Sequence, residues 1–357
     1  MPPYHILVIN PGSTSTKVAV FDDERPLCVS TIRHTPEELA AYAQIIDQHD
    51  FRRQLVTDWL AQNNIPLRFD AIIGRGGLIK PIPGGVYRVN RKMCFETYYA
   101  LRKHACNLGC ILAYELAKEQ GDGCQAYIAD PVTVDELVPE ARVSGSPLMP
   151  RLAIWHALNQ RAIARRYARQ VGCSYSDLNL IVCHLGGGIS VAAHEHGRAI
   201  DANNALDGEG PLSPERAGTL PAADLIHLCY SGRYTEEQLK KRVAGQAGLM
   251  AHLGTTDILQ IMQMIEQGNE RARLLINAMI FHTAKQIAAE GAVLCGRVDA
   301  ILLTGGMAHS AYITEGIKQR VSYLAPVHVF PGEDEMEALA LNALAVLRGE
   351  CQAKEYE

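Results

Sequence analysis

This sequence lacks both long apolar runs and an excess of positive charge. Charged residues make up 20% of the 357 residues, and the formal net charge is −5. A helix that spans a bilayer needs ~20 consecutive apolar residues, and no run of that length occurs. The basic excess that attracts nucleic acid or an anionic membrane is also missing. We therefore expect no nucleic-acid partner and no membrane association, and any anionic ligand must be held by a local cluster of positive groups.

Paired cysteines are a second absence. The ten cysteines include no Cys-x-x-Cys pair and no zinc-binding spacing. Cys106 and Cys110 are four residues apart, so on a helix they would lie side by side as neighbouring buried thiols. The first residues show neither the basic segment nor the cleavage site of a secretory signal. These features together predict reduced thiols and a cytoplasmic location.

A P-loop is missing as well, since Gly-Lys-Ser and Gly-Lys-Thr do not occur. Residues 10–17 instead place four hydroxyls and a lysine in one tight turn. Asn10, Ser13, Ser15 and Lys17 are donors of the kind that phosphate needs. On these residues alone, a phosphate-binding loop and a polar surface turn are equally good interpretations.

Short β-branched segments alternate with longer helical patterns, which predicts an α/β fold. The length exceeds what one hydrophobic core usually supports, so two domains are expected. The Gly- and Pro-containing segment 144–150 is the predicted hinge. We predict strands at residues 6–9, 18–21, 71–73, 126–128, 180–183, 190–193, 300–304 and 327–330. We predict helices at residues 37–61, 95–119, 154–171, 222–230, 270–290 and 335–348.

The predicted helix at residues 270–290 carries apolar side chains at helical spacing. That periodicity predicts one buried face. The residues of this predicted face are Leu274, Leu275, Ala278, Phe281, Ala284, Ile287 and Ala288.

One pattern occurs twice. Residues 6–21 and residues 180–193 each read as an apolar strand, a polar residue, a Gly-containing turn and a second strand. Each pattern predicts a β-hairpin whose turn is rich in hydroxyls or backbone N–H groups. Two such hairpins, one at the start of each half, favour a duplicated domain with both turns facing one cleft, although a chance repeat remains an alternative.

The second hairpin turn contains His184 followed by Gly186, Gly187 and Gly188. Successive glycines cost conformational entropy, and they are useful where a backbone must approach a ligand closely. Phosphate is the natural candidate, and a plain hairpin bend is the alternative. Gly305 and Gly306 end another predicted buried strand, where they leave room for a base or ribose or serve as a helix–strand packing point.

Ten segments together resemble the butyrate kinases, which belong with the acetate kinases in the acetokinase family. That family lies within the larger superfamily of sugar kinases, Hsp70 and actin. The resemblance runs in order over nearly the whole chain. The segments are residues 10–17, 74–77, 104–109, 130–132, 155–160, 184–188, 201–211, 213–218, 304–306 and 331–335.

The resemblance implies two duplicated ribonuclease-H-like domains of the actin-like ATPase fold, with the active site in the cleft between them. The N-terminal, acid-binding domain would comprise residues 1–147 and be completed by the C-terminal helix, residues 336–357. The nucleotide-binding domain would comprise residues 148–335. The resemblance also implies a homo-oligomer, a dimer or larger.

The resemblance further assigns roles to cations and histidines. Arg75 would bind the acid or the transferring phosphoryl group, and Arg216 would be a second active-site arginine. His156 would hydrogen-bond the phosphoryl group in flight, and His184 would contact the phosphates of ATP. His104 would lie near the acid or the phosphoryl group. A surface arginine at position 75, a surface pair of Arg216 with Glu215 or Glu209, and structural histidines are the alternatives.

Asn10 and Asp130 would complete the geometry of metal and phosphate. Asp130 and Glu335 are the candidate magnesium ligands, since Mg²⁺ takes few carboxylates and keeps most of its waters. Glu333, Asp334 and Glu335 stand together at the start of the last helix, where acidic residues also favour the helix dipole. The sequence leaves open which of these three is linked to the metal.

The reaction implied is ATP plus butyrate giving butanoyl phosphate and ADP. A carboxylic acid is already ionised at neutral pH, so no general base is needed and charge repulsion is the main barrier. Acetate, propionate and branched acids are alternative substrates. A sugar kinase or a polyphosphate-processing relative, with Asp130 as base, is a rival enzyme, and a non-catalytic actin-like nucleotide switch is the alternative from a different class.

Overall fold

The structure is a computed structural model that describes residues 2–100, 104–121 and 123–357. The chain divides into two compact units. The N-terminal unit comprises Met1–Val134 and Asp334–Glu357, and the C-terminal unit comprises Asp135–Glu333. The domain boundaries expected from the sequence, at 147/148 and 335/336, stay predictions. Among the described residues, no helix combines the length and the apolar character needed to cross a bilayer.

A six-stranded mixed sheet organises the N-terminal unit, in the order β3-β2-β1-β4-β6-β5. Helices α4 and α13 both pack on β1 and β4, which makes the middle of the sheet the buried core. The strands are β1 (His5–Pro11), β2 (Ser15–Asp22), β3 (Arg25–Arg33), β4 (Ala71–Arg75), β5 (Val86–Arg88) and β6 (Gln125–Ala129). The helices are α1 (Pro36–Ala40), α2 (His49–Gln62), α3 (Arg91–Tyr98), α4 (Asn107–Gln120) and the last helix of the chain, α13 (Glu335–Leu347).

A five-stranded sheet organises the C-terminal unit, in the order β11-β10-β7-β8-β9. Its strands are β7 (Asn179–Leu185), β8 (Ile189–Glu195), β9 (Arg198–Ala202), β10 (Ala300–Gly305) and β11 (Val327–Pro331). Its helices are α5 (Pro139–Arg142), α6 (Ala157–Gln170), α7 (Ala222–Cys229), α8 (Glu236–Val243), α9 (Gly248–Leu253), α10 (Ile258–Glu266), α11 (Glu270–Val293) and α12 (Ala311–Val321).

The two sheets share one topology. In the N-terminal unit, β1, β2 and β3 form an antiparallel meander, and β4 and β6 add in parallel on the other side of β1. In the C-terminal unit, β7, β8 and β9 form the meander, and β10 and β11 add in parallel beside β7. Both predicted hairpins are present, and the duplicated α/β fold expected from the sequence is confirmed.

All eight predicted strands occur, but three were missed. Strand β3 is exposed along much of its length, β5 has only three residues, and β9 follows β8 after a tight turn. Apolar alternation is weak or short in each, so the periodicity that found the buried strands could not find them.

Two predicted helices are each interrupted. The helix predicted at residues 37–61 is wrong: α1 ends at Ala40, and a capping box between Gln44 and Asp47 starts a short 3₁₀ helix before α2. The helix predicted at residues 95–119 is also wrong, because α3 ends at Tyr98 and α4 begins at Asn107. Residues 101–103 of that prediction lie outside the described residues.

The helix α11 buries part of the predicted face, since Ala284 and Ile287 are buried as expected. Leu274 is 67% exposed and Phe281 is 45% exposed. Ile276, Met279 and Ile280 are buried instead, against the apolar core of the C-terminal unit. Apolar residues occur on several sides of this helix, so spacing alone did not determine which side packs.

Candidate active site

Side chains at the carboxyl ends of three strands form the first cluster, in the N-terminal unit. Asn10 lies in β1, Arg75 ends β4 and Asp130 follows β6. The strands are parallel neighbours, so these ends meet at one edge of the sheet. Glu335, the first residue of α13, accepts a hydrogen bond from Asn10 Nδ2 at 2.8 Å and forms an ion pair with Arg75. Three predicted site residues, Asn10, Arg75 and Glu335, are therefore in direct contact.

Close packing of α4 on β4 explains the glycines around Arg75. A Cβ atom on Gly74 would lie 2.0 Å from the carbonyl oxygen of Gly109, and one on Gly77 would lie 2.6 Å from Asn107. Gly109 has the same constraint, since its Cβ atom would lie 2.2 Å from the carbonyl oxygen of Arg75. The helix thereby fixes the backbone from which the Arg75 guanidinium extends.

The polar side chains of the turn between β1 and β2 differ in their exposure to solvent. Gly12 donates a backbone hydrogen bond to the Ser15 carbonyl at 2.7 Å, which closes the turn. Ser13 and Lys17 are exposed, and Ser15 is half-buried. Lys17 lies directly opposite Asn10 in the hairpin. The predicted donors therefore belong to one hairpin end beside the Arg75 cluster.

Arg52 lies in α2 and supports this turn from inside. No role for it was predicted from the sequence. It is fully buried, and its guanidinium donates to the carbonyl oxygens of Gly12 and Ser15 at 2.8 and 3.1 Å and to Thr16 Oγ1 at 3.1 Å. Its further partner is the neutral Gln48 side chain. Burial lowers the pKa of Arg52 to about 10, so the group stays charged at neutral pH. A cation without a carboxylate partner among the described residues thus supports the turn from inside.

Asp130 and His104 lie near the same cluster, but their exposure and their contacts differ. Asp130 is buried and accepts a hydrogen bond from the backbone N–H of Gly85 at 2.7 Å. His104 is exposed, and its Nδ1 accepts from the backbone N–H of Cys106 at 3.2 Å. Burial raises the pKa of Cys106 to about 11, and the nearby Arg75 opposes that rise. His104 is therefore linked to the Arg75 cluster through Cys106.

The turn between β7 and β8 forms the second cluster, in the C-terminal unit. A Cβ atom on Gly186 would lie 2.7 Å from His184 Nε2, so this position requires glycine. At Gly187 a Cβ atom would lie 3.2 Å from the Glu215 carboxylate, and at Gly188 the nearest atom would be 3.5 Å away. The space for a Cβ atom is thus closed by His184 at Gly186, tight at Gly187 and open at Gly188, and the approach of a ligand to these glycines stays a prediction.

Two predicted histidines stack beside this turn. The rings of His156 and His184 have centroids 3.8 Å apart and planes 12° apart. His156 is not inside a helix as predicted; it is the residue that immediately precedes α6. His156 Nδ1 is 2.8 Å from Ser190 Oγ, and His184 Nδ1 is 2.8 Å from Asn159 Oδ1. The other ring nitrogen of His184 lies 3.2 Å from a carboxylate oxygen of Glu333.

Arg216 lies beside the same glycines. Its guanidinium forms an ion pair with Glu215 at 3.0 Å, which was one of the pairings left open by the sequence. The pair does not stand apart on the surface, because Glu215 also donates its backbone N–H to the Gly187 carbonyl at 3.0 Å. Glu209, the other suggested partner, instead pairs with Arg151 at 2.7 Å.

Gly305 and Gly306 differ in whether the structure has space for a side chain. Gly305 has a φ of +93°, and a Cβ atom there would lie 2.5 Å from the carbonyl oxygen of Leu185. It also exchanges two backbone hydrogen bonds of 3.1 Å with Gly332. A Cβ atom on Gly306 would meet nothing within 4 Å. Gly305 is thus a point of close strand contact, and only Gly306 leaves open space.

The three acidic residues before and within α13 have different surroundings. Glu335 contacts Arg75 and Asn10, whereas Glu333 contacts His184. Asp334 is the residue that precedes α13. No group of three or more His, Cys, Asp or Glu side chains suited to a metal occurs within residues 2–100, 104–121 and 123–357. Mg²⁺ beside phosphates needs only one or two carboxylates and keeps several waters, and both oxygens of Glu335 already have partners. These residues therefore fit magnesium held through water.

Several residues of the two clusters were given no role by the sequence analysis. Arg52, Asn159, Gln160, Ser190 and Glu215 were not predicted to be site residues. The spacing of His156 and Gln160, four apart across the start of α6, could have indicated that both face the same strand. Ser190 lies opposite His184 in the hairpin register, which becomes informative once the hairpin is recognised.

Comparisons with known proteins agree with this architecture. The chain is 17% identical to an acetate kinase from Porphyromonas gingivalis of known crystal structure, with a TM-score of 0.78 over 96% of this chain and 100% of that one. At that identity the likeness shows the fold alone, and it confirms the predicted fold class.

Sequence relatives are much closer. A protein from Bacteroides thetaiotaomicron named probable butyrate kinase is 62% identical over 352 residues, covering 99% of both chains. A second protein of that name, from Phocaeicola vulgatus, is 52% identical over 98% of this chain and 99% of its own. The resemblance to butyrate kinases noted in the sequence is thus confirmed. The model that describes the acetokinase family also matches residues 153–328, and the chain belongs to that family of kinases.

Proposed function

We propose that this protein transfers the γ-phosphoryl group of ATP to a short-chain carboxylic acid, preferably butyrate, giving butanoyl phosphate and ADP, and that the reaction is reversible. The observation that carries the proposal is the ordered cation of the N-terminal cluster, in which Glu335 pairs with the Arg75 guanidinium at the end of parallel strands and is itself held by a hydrogen bond from Asn10. The names of the two close relatives support butyrate as the acid.

Phosphoryl transfer to a carboxylic acid requires positive groups in the active site and does not require a general base. Its carboxylate is ionised at neutral pH, so the enzyme's task is to bring two anions together and align them. Arg75 offers a planar, permanently charged donor for the carboxylate or the phosphoryl group. His104 lies beside Cys106 in the same unit and would contribute to the acid side. Asp130 binds Gly85 through one carboxylate oxygen, which favours a fixed position over a role as base.

The nucleotide phosphates would be held by donors at both hairpin turns. The turn at Gly186, Gly187 and Gly188 would present its backbone to the phosphates, and His184 lies beside it. Asn10, Ser13, Ser15 and Lys17 supply the corresponding donors in the N-terminal unit. Gly305 and Gly306 would border the base or ribose, where the open space at Gly306 admits a flat group.

His156 and Arg216 would act on the phosphoryl group during transfer. Both lie at the Gly188 side of the turn, where a Cβ atom would be 3.8 Å from His156 and 3.7 Å from Arg216. Fixed donors aimed at the charge that develops in the transition state are typically worth ~10²–10³ in rate each. Mg²⁺ carried by the nucleotide would neutralise phosphate charge, and Asp130 and Glu335 are the side chains that would hold its waters.

A hydroxamate assay tests the proposal. With ATP, Mg²⁺ and hydroxylamine, acids of two to six carbons should give acyl hydroxamate, with the best rate for butyrate. Arg75→Ala should lower the rate by at least about 10². Arg88→Ala is the matched control, because Arg88 lies in the same unit and pairs with Glu355 at the surface.

Two results would contradict the proposal: no hydroxamate from any acid, or phosphorylation of a sugar from a test panel in place of the acids. A higher rate with acetate, propionate or a branched acid would retain the enzyme class and change the substrate. Because ATP is the co-substrate, we place the activity in the cytoplasm. The homo-oligomer implied by the resemblance stays a prediction, which sedimentation of the purified protein would test.

A further inference from the structure

A chain of hydrogen bonds leads away from His156 into the core of the C-terminal unit. Its first member, Ser190, is fully buried in β8. Ser190 Oγ accepts from Gln160 Nε2 at 2.9 Å and from the backbone N–H of His156 at 3.3 Å. Its third neighbour is His156 Nδ1 at 2.8 Å. Two of the three neighbours can only donate, so His156 Nδ1 is the one atom there that can accept the serine hydrogen.

The orientation of the Gln160 amide is determined by the backbone. The same Nε2 atom lies 3.0 Å from the carbonyl oxygen of Ser190, which can only accept. The amide nitrogen must therefore face Ser190, and its two hydrogens are used there. Gln160 Oε1 then faces His194 Nε2 at 3.1 Å and can only accept from it.

The next residue in the chain of hydrogen bonds is His194, and its protonation state determines which of its nitrogens donates. It is fully buried, and burial, together with the nearby Arg161 and Arg165 cations, lowers the pKa of His194 to about 3. The neutral ring has one hydrogen, which Gln160 requires on Nε2. His194 Nδ1 must then accept, and its neighbour at 2.5 Å is the Tyr175 hydroxyl.

Every bond in this chain consequently has one direction. Tyr175 donates to His194, His194 to Gln160, Gln160 to Ser190, and Ser190 to His156 Nδ1. A reversed last bond would place three donors on Ser190 Oγ and leave a buried hydroxyl hydrogen without an acceptor, which is costly.

We propose that Ser190, Gln160, His194 and Tyr175 are positioning residues that hold His156 as the tautomer with its hydrogen on Nε2, so that the ring offers an N–H donor to an anionic ligand. The direction of the chain depends only on the hydrogen bonds. Its use in phosphoryl transfer rests on the function proposed above.

Nuclear magnetic resonance of the full-length protein with ¹⁵N-labelled histidine tests the tautomer directly. The ring nitrogens of His156 are assigned by their loss in His156→Gln. In the unaltered protein, we expect the shift of an unprotonated nitrogen at Nδ1 and of a protonated one at Nε2. A protonated Nδ1 with an unprotonated Nε2 would overturn the proposal, and this measurement needs no activity.

Two variants test the positioning residues. Ser190→Ala removes the donor, so we expect a mixture of His156 tautomers and a kcat lower by about 10- to 100-fold, with KM for ATP within about twofold. Gln160→Met keeps about the length of the side chain but removes the hydrogen bond to Ser190 Oγ, so Ser190 can then accept from His156 Nδ1 and we again expect a mixture of tautomers.

Thr283→Ala is the matched control, because it removes a buried hydroxyl of the same unit that bonds only to the Met279 carbonyl in α11. It should leave the tautomer unchanged. If the His156 shifts in both Ser190→Ala and Gln160→Met match those of the unaltered protein, the positioning role is refuted. If the tautomer changes but no variant or parent makes acyl phosphate, the positioning role stands and the proposed function fails.

Discussion

His156 and His184 lie face to face although one precedes a helix and the other lies in a strand. Their ring centroids are 3.8 Å apart. Each ring has its own partner in the plane, Ser190 for His156 and Asn159 for His184. The stack fixes both ring planes, and the partners fix the rotation within each plane. The direction of every ring N–H is thereby determined before a ligand arrives, which is the preorganisation that favours an anionic transition state.

Replacing His156 separates the contributions of its two nitrogens. A glutamine amide reaches about as far as Nε2, whereas an asparagine amide reaches only about as far as Nδ1. We expect His156→Gln to retain about tenfold more kcat than His156→Asn, since the functional hydrogen is on Nε2. Steady-state hydroxamate rates provide the measurement, and a more active asparagine variant would contradict it.

Arg52 and Arg53 are neighbours in sequence with opposite environments. Arg52 is fully buried and bonds to the turn at Gly12, whereas Arg53 pairs with Glu119 at the surface. Arg52→Met should lower the free energy of unfolding by about 2–5 kcal/mol, because it removes several charge-assisted hydrogen bonds and leaves the Gly12 carbonyl oxygen without its donor.

Arg53→Met should change the free energy of unfolding by no more than about 1 kcal/mol. Urea unfolding of the two variants makes the comparison. Equal losses would show that the buried guanidinium does not support the turn.

Gly305 and Gly306 make a second matched pair. Gly305→Ala combines a φ of +93° with a Cβ atom 2.5 Å from the Leu185 carbonyl oxygen. We expect a loss of about 2–4 kcal/mol in the free energy of unfolding. Gly306→Ala enters open space and should cost less than about 1 kcal/mol. Thermal melting without ligand decides, and a Gly306 variant as unstable as the Gly305 variant would be inconsistent with this geometry.

Glu290 makes stability depend on pH. It is 1% exposed in α11, and burial, with the nearby Asp201, raises its pKa from 4.5 to about 8. Its Oε1 accepts from Gln286, and its Oε2 has no hydrogen-bond partner among the residues that the structure describes. A carboxyl group whose pKa is raised by folding stabilises the folded state most at pH values below its pKa in the unfolded chain. That contribution, up to ~5 kcal/mol, is lost as pH rises from about 4.5 to about 8.

Glu290→Gln cannot ionise, so we expect its free energy of unfolding to fall less than that of the parent between pH 5 and pH 8.5. Urea unfolding at several pH values measures the difference. Glu266→Gln, at an exposed position of α10, should follow the parent curve. An unchanged slope in the Glu290 variant would show that this carboxyl group is not responsible.

The sequence by itself determined the hairpins, the buried strands and the residue types of both turns. Apolar runs bounded by glycine and polar residues specify these features locally, so the strands at 6–9 and 180–183 were placed correctly. The glycines around Arg75 were visible too, although the reason for Gly74 and Gly77, the close approach of α4, was not.

Only the tertiary structure decided which side chains meet. Arg75 and Glu335 are 260 positions apart, and Ser190 reaches His156 because the register of β7 and β8 and the start of α6 place them together. The same holds for Arg52, which looked like any helical arginine until its burial was known. Side-chain partners over such separations depend on strand register and on how closely helices approach the sheet, and no local pattern encodes either distance.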